Sequence, residues 1–386
     1  MTIGIDASRA LKQNKTGMEW YVYYIIENLL QIDSDNQYIL YYKNQPNEWL
    51  KKLNERKNVK IKRLRWPFIY FWTQGRLSLE MLLYKFHWIP AFAGMTKKKP
   101  DVLFIPASAM PIIHPKNTIS TIHDVGFMKY PEAYSEWQRF YLKWSTKFAV
   151  KYAKKIITIS EFSKQEIIKY FTPSNSPLVR GRINKDKIFV THLAVEIKNP
   201  ASSQKNKKIN SPYIFFIGRL EKKKNIVGII EGFALFKQNS KLPHKLVLAG
   251  SRGSDWGKAK EVIKKYNLQD AIIELGYIDE KDKPALYQES DLFLFPSLYE
   301  GFGLPILEAM AYGVPVITSN SGAMAEVAGD SAILVDPNDY ENIADQISEV
   351  LENKELQDDL IKKGKERVKE FSWEKCAKET LEILEN

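Results

Sequence analysis

Ser290–Glu308 reads SDLFLFPSLYEGFGLPILE. An apolar run ends at Phe295, a loop carrying Gly301 and Gly303 follows, and a helix opens at Leu304 or Pro305. Strand, glycine loop and helix in that order are the repeating junction of a parallel α/β sheet. Glycine lets the backbone approach a ligand closely, and a helix start offers unpaired N–H groups and partial positive charge to an anion. Glu300 precedes that helix start and Glu308 lies about one turn inside it. A carboxylate can accept from paired sugar hydroxyls, so these two acids could hold a sugar and a ribose. Their spacing fits two solvated surface acids equally well.

The same alternation extends in both directions. Strand patterns occur at Ile3–Ile5, Tyr38–Tyr42, Val102–Ile105, Thr118–Ile122 and Ile156–Ile159, with helical stretches such as Glu19–Gln31 and Glu136–Ala153 between them. A polar stretch, Asn199–Ser211, interrupts the pattern. It restarts at Tyr213–Ile217, Lys245–Ala249, Ile272–Leu275, Leu292–Phe295, Val314–Thr318 and Ala332–Val335. The expected fold class is α/β: two Rossmann-like domains, 1–198 and 210–371, with parallel sheets facing across a cleft. A last helix, 372–386, is expected to return to the first domain. Ligands of such sheets bind beyond the carboxyl ends of the strands. His87–Lys99 and Thr172–Arg182, rich in Pro, Gly and small residues, read as surface insertions without a chemical role.

A chain of 386 residues with 44% hydrophobic and 27% charged content can bury two cores. It opens directly on a strand pattern, without a basic leader and apolar segment, and no window reaches the roughly 18 apolar residues of a membrane span. A cytoplasmic protein is expected, and the single Cys376 excludes an intramolecular disulfide. Charge is uneven: residues 1–195 hold 31 Lys and Arg against 15 Asp and Glu, and the remainder 26 against 31. A basic half suits an anionic substrate, an anionic membrane or nucleic acid.

Two further constellations narrow that choice. In Phe216–Asn225, FIGRLEKKKN, a strand ends at Gly218 and Arg219 and a basic run follows. Arg219 could bind phosphate oxygens bidentately, with Lys224 as a point charge, and fixed cations stabilise a departing diphosphate without a metal. A solvated basic face is the plainer reading. In Thr118–Pro131, TISTIHDVGFMKYP, His123 ends a strand, where it could meet a sugar hydroxyl or serve as a bonded structural histidine. Gly17, in the loop after the first strand, is a candidate for close approach to phosphate or acceptor. Asp33–Asp35 reads DSD, a divalent-ion motif in another transferase fold, but its polar setting marks a turn. No metal-ligand cluster and no phosphate-binding GxxxxGK[ST] loop is present.

Taken together, GIDAS, KTG, STIHDVGFMKYPE, IITISEFSK, FIGRLEKKKN, the long run from Gly276 to Pro337 and terminal FSWEKCA resemble glycosyltransferase family four, of GT-B fold. The resemblance covers nearly the whole chain. It implies that Glu308 binds the nucleotide ribose, that Glu300 contacts the transferred sugar, and that Arg219 and Lys224 bind the diphosphate. Gly218, Gly301, Phe302, Gly303 and Leu304 would line the donor pocket, with His123 near the sugar and Gly17 in the first-strand loop. Many relatives carry a second glycine two residues after Gly17, where this chain has Glu19. The family transfers sugar with retention of configuration and without a metal or other cofactor.

The expected reaction moves a hexose, mannose foremost, from a GDP- or UDP-sugar to a saccharide or lipid-linked saccharide in cell-surface polysaccharide synthesis. Lys57–Trp72, KNVKIKRLRWPFIYFW, joins cations to aromatics and suggests peripheral attachment to an anionic membrane surface; a partly buried core segment is the alternative. Nucleic acid is not an expected partner. The rival class is a basic membrane- or nucleic-acid-binding protein on a degenerate GT-B fold, and a sugar-nucleotide epimerase is a weaker third.

Overall fold

The computed structural model describes residues 1–386 except 14, 69–70, 85–98, 172–184 and 198–208. Both suspected insertions, His87–Lys99 but for Lys99 and Thr172–Arg182, therefore lie outside the described residues, as does most of the polar Asn199–Ser211 stretch.

The first sheet has seven parallel strands: β1 (Thr2–Asp6), β2 (Gln37–Tyr42), β3 (Val59–Arg63), β4 (Val102–Ile105), β5 (Thr118–Thr121), β6 (Lys155–Thr158) and β7 (Ile188–Val190). Their order is β3-β2-β1-β4-β5-β6-β7. The second has six: β8 (Tyr213–Ile217), β9 (Lys245–Ala249), β10 (Ile272–Gly276), β11 (Leu292–Phe295), β12 (Val316–Ser319) and β13 (Ile333–Val335), in the order β10-β9-β8-β11-β12-β13. Both orders reverse direction beside their first strand, between β1 and β4 and between β8 and β11. A doubly wound sheet opens a ligand crevice at that reversal.

At the reversal of the second sheet, β8 and β11 are apolar throughout, as strands of a parallel sheet buried on both faces are. Every residue of β8 and of β11 is buried. Two strands were not expected. In β3, Lys60, Lys62 and Arg63 interrupt the apolar pattern at a sheet edge, so Val59–Arg63 of the basic and aromatic Lys57–Trp72 stretch is sheet. The other, β7, has three residues at the opposite edge.

The chain divides into two compact units. The first comprises Met1–Met128, Ser135–Leu193 and Trp373–Asn386; the second, Lys129–Tyr134 and Ala194–Ser372. This corrects the expected limits: the first unit stops at Leu193 rather than 198, and Lys129–Tyr134 groups with the second, where Glu132 pairs with Lys222 at 2.7 Å. The final helix, Trp373–Glu385, packs in the first unit on the helix Gly17–Ile32. Trp373 stacks on Tyr24 with ring centroids 5.0 Å apart, and Asn36 donates to Glu385 at 2.9 Å. Asp33–Asp35 is a turn: the Asp33 carboxylate accepts from the amides of Asp35 and Asn36 at 2.9 and 3.1 Å. Among the described residues no helix is long and apolar enough to cross a membrane.

Candidate nucleotide-sugar site

In the second unit the reversal point gathers residues far apart in sequence. After β8 the chain passes Gly218 and Arg219 into a tight turn, Lys222–Lys224, and enters the helix Ile226–Asn239. After β11, Pro296–Gly303 leads to the helix Leu304–Ala311. The amides of Leu298 and Tyr299 both donate to the Lys223 carbonyl, at 2.9 and 3.2 Å, so the two loops are tied by backbone. That tie brings the Lys224 ammonium into an ion pair with the Glu300 carboxylate, and both side chains are largely buried. Arg219 is 57% exposed, with its Nε 3.4 Å from the Glu221 carboxylate. Glu221 is buried and also meets Lys223 at 3.6 Å. Cations therefore stand at the carboxyl end of β8, one held by an acid from the β11 loop and one turned to solvent.

Gly303 adopts φ 111°, a left-handed conformation suited to glycine, and caps the helix Leu304–Ala311. Pro305 occupies its second position, where the missing N–H costs nothing. Phe302, expected to line the donor pocket, has its ring 3% exposed and packed edge-on against Phe371 at 5.8 Å. Glu308 accepts a 2.7 Å hydrogen bond from the Tyr287 hydroxyl. Burial pushes the Tyr287 hydroxyl pKa up and the neighbouring Glu308 charge pushes it further, so it stays a donor. Lys283 is pulled down by burial, but Glu308 and Glu280 outweigh that and raise it. Glu308 thus sits between a fixed donor and a fixed cation.

Two residues that hold this site together had no assigned role in the sequence reading. Asn225 starts the helix Ile226–Asn239 at φ 58°, and its buried amide donates to the carbonyls of Pro296 (3.0 Å) and Pro337 (2.7 Å). It joins the loops after β11 and β13. Gly250, just beyond β9, lies so close to β8 that a Cβ there would stand 1.9 Å from the Gly218 carbonyl oxygen. Asparagine at a helix start is a visible signal, though it suggests a cap rather than a staple.

In the first unit, His123 follows β5 and is 7% exposed. Burial lowers its pKa to about 4, so the ring is neutral at physiological pH. Its Nε2 lies 3.4 Å from the Pro106 carbonyl, which can only accept, and Nδ1 is thereby the acceptor nitrogen. Tyr21 packs edge-on against the ring at 4.8 Å. Gly17 is the first residue of its helix, and a Cβ added there would meet nothing within 4 Å. Glu19 folds back: its carboxylate accepts from the Thr16 amide at 3.1 Å and pairs with Lys12 at 2.6 Å and Arg9 at 3.4 Å. Burial opposes its ionisation, but Lys12 and Thr16 outweigh burial and hold its pKa at about 2.

Among the described residues no group of three His, Cys, Asp or Glu side chains could hold a metal ion. The sequence pattern of glycosyl transferases group 1 matches residues 198–367. O-antigen chain mannosyltransferase B of Escherichia coli is 33% identical over 274 residues, 69% of each chain.

The chain belongs to the glycosyltransferase group 1 family. A second relative of this glycosyltransferase is the serotype-specific mannosyltransferase WbdA of Escherichia coli. It is 26% identical over 69% of this chain and 33% of its own length. Anabaena HepE, solved with UDP and glucose, superposes with a TM-score of 0.70 at 16% identity, covering 100% of this chain and 99% of that one. The glycosyltransferase therefore has the GT-B fold, and the matched segment contains Arg219, Lys224, Glu300 and Glu308.

Proposed function

We propose that this glycosyltransferase moves mannose from GDP-mannose to a saccharide or lipid-linked saccharide acceptor. It works at the cytoplasmic face of the membrane in cell-surface polysaccharide synthesis, with retention of configuration and without a metal ion. The observation that carries the reading is the pairing of Lys224 with Glu300 beside Arg219 at the sheet reversal, next to a helix start. The choice of mannose is supported by the names of both relatives described above.

On this reading Lys224 exchanges Glu300 for the diphosphate, and the freed Glu300 carboxylate accepts from hydroxyls of the sugar. Glu308, with one oxygen held by Tyr287, takes the ribose. As the bond from the anomeric carbon to the diphosphate oxygen breaks, charge collects where Arg219, Lys224 and the helix start stand, which lowers the barrier as a metal ion would. The acceptor hydroxyl oxygen bonds the anomeric carbon from the face the diphosphate leaves, and its proton passes to the departing phosphate oxygen.

Thermal unfolding with GDP, UDP and ADP ranks the base, because a ligand raises stability by mass action. GDP is expected to give the largest rise. Incubation of GDP-mannose with a lipid-linked saccharide in EDTA should then release GDP and yield an α-linked product. A larger rise with UDP would replace the donor, inversion or strict Mg²⁺ dependence would replace the mechanism, and absence of release from any donor would favour a degenerate binding protein.

A further inference from the structure

The helix Glu136–Tyr152, in the first unit, is built inside out. Its buried side carries small residues, Ser145, Thr146, Ala149 and Val150. Its bulkiest side chains face solvent: Trp137 is 63% exposed, Phe140 62%, Trp144 38% and Tyr152 47%. Positions 140, 144, 148 and 152 recur every four residues and so form one stripe. Rings pair at both ends of the helix, with centroids 5.9 Å apart for Trp137 and Phe140, 5.7 Å for Trp144 and Phe148, and 4.7 Å for Phe148 and Tyr152. Phe71 widens the stripe: it is 49% exposed and 6.1 Å from the Tyr141 ring.

Beside the rings runs a second row with the same step. Lys143, Lys147 and Lys151 are exposed, and the Lys151 ammonium lies 4.9 Å from the Tyr152 ring. The helix's one acid, Glu136, is at its first position. Long lysine stems can lie along apolar surface while the charge reaches outward.

We propose that this face docks on an anionic lipid bilayer. The helix lies along the surface, its rings enter the boundary between headgroups and acyl chains, and the lysine row meets anionic headgroups. Charge complementarity selects the occupant, because a second copy of the chain would bring the same cations to a shared face. A convex row of rings also offers a protein partner no pocket for an anchoring side chain. Of the stretch Lys57–Trp72, Phe71 joins this face, whereas the strand and Trp72 do not. Val59–Arg63 is strand, Lys62 pairs with buried Glu80 at 2.5 Å, and Trp72 is 6% exposed. The inference stands apart from the identity of donor and acceptor.

The full chain, without sugar donor, is sedimented with vesicles of phosphatidylcholine and phosphatidylglycerol and with vesicles of phosphatidylcholine alone. Wild type should pellet with the anionic vesicles at low salt and be released as salt rises. The variant Trp137→Ser with Phe140→Ser and Trp144→Ser should lose at least about tenfold in partitioning to either vesicle. Lys143→Glu with Lys147→Glu should abolish the preference for anionic vesicles. Both variants should keep the wild-type circular dichroism, melting temperature and nucleotide release in solution. Wild type remaining in the supernatant with anionic vesicles, or the aromatic variant binding as wild type does, overturns the proposal. So does concentration-dependent self-association that the aromatic variant abolishes in a chain that ignores vesicles. Vesicle binding without nucleotide release would keep this surface and remove the proposed reaction, and the converse result would do the reverse.

Discussion

The two sheets share one strand order but finish their first strands differently. After β1 the loop consumes its own charges: Arg9 and Lys12 are spent on Glu19, which is 3% exposed and also binds Thr16. After β8, Arg219 and Lys223 share buried Glu221, Arg219 stays 57% exposed, and Lys224 is held by an acid from another loop. A reversal point makes room for a ligand, and the residual charge of its loops decides which ligand that is. On the reading proposed above the β8 loop takes the diphosphate, whereas in the β1 loop Arg9 and Lys12 share Glu19.

Removing the cations that make the difference should have the largest effect. Arg219→Ala with Lys224→Ala is expected to lower kcat about 10³-fold, as for loss of transition-state charge stabilisation, with a smaller change in KM for the donor. Steady-state kinetics with varied donor measures both. An unchanged kcat would mean that the exposed charge of the β8 loop is not what serves the departing diphosphate.

The buried histidine makes the first unit sensitive to acid. Burial favours neutral His123, with its pKa lowered from 6.5 to about 4. Between those values the unfolded chain binds a proton that the folded chain does not, so stability falls as pH drops across that window. The full difference is on the order of 3 kcal/mol. Glu19, lowered from 4.5 to about 2, adds its own loss further down as pH falls through that lower range. Urea unfolding at stepped pH should give wild type a steeper slope from pH 6.5 to 4 than His123→Gln. Parallel slopes would show that His123 is not the group being titrated.

Much of this contrast was legible in sequence where chemistry is local. Tyr213–Ile217, Lys245–Ala249 and Leu292–Phe295 are strands to the residue, because each is an apolar run closed by glycine, or by proline after Phe295. The edge strand β3 was not legible, since a strand solvated on one side carries lysines and reads as an amphipathic surface. Arg219, Lys224, Glu300 and Glu308 were all nameable. The Lys224–Glu300 pair was not, because strand order rather than spacing brings residues 76 apart together. Glu19 was visible only as a departure from a glycine. That it closes the loop follows from the helix start at Gly17, which places Glu19 one step from bonding back to Thr16.

Opening the closed loop tests that account. Glu19→Ala removes the capping contact to Thr16 and frees Lys12 and Arg9. Both cations are substantially exposed and can be solvated, so the cost is that of the cap and a weakened pair, about 1–2 kcal/mol. Thermal unfolding should show the loss, while GDP should still raise the melting temperature as it does for wild type. A GDP-induced rise that disappears would show that the β1 loop contributes to nucleotide binding and that the two sheets are less different than their charges suggest.

The smallest effect concerns how the second unit fixes an acceptor rather than a cation. Tyr287→Phe removes one 2.7 Å hydrogen bond to Glu308 and little else, because the ring remains packed among Phe215, Phe293 and Tyr312. The electrostatic contact with Lys283 remains, and Glu308 loses the donor that fixes its orientation. A bond to a charged acceptor contributes about 1.5–3 kcal/mol, and here most of it is recovered if water or ligand replaces the hydroxyl. The expected outcome is a few-fold rise in donor KM with kcat nearly unchanged. The same substitution should be nearly silent for a donor whose ribose lacks the hydroxyls that Glu308 accepts from. An equal loss with both donors would assign Tyr287 to packing alone.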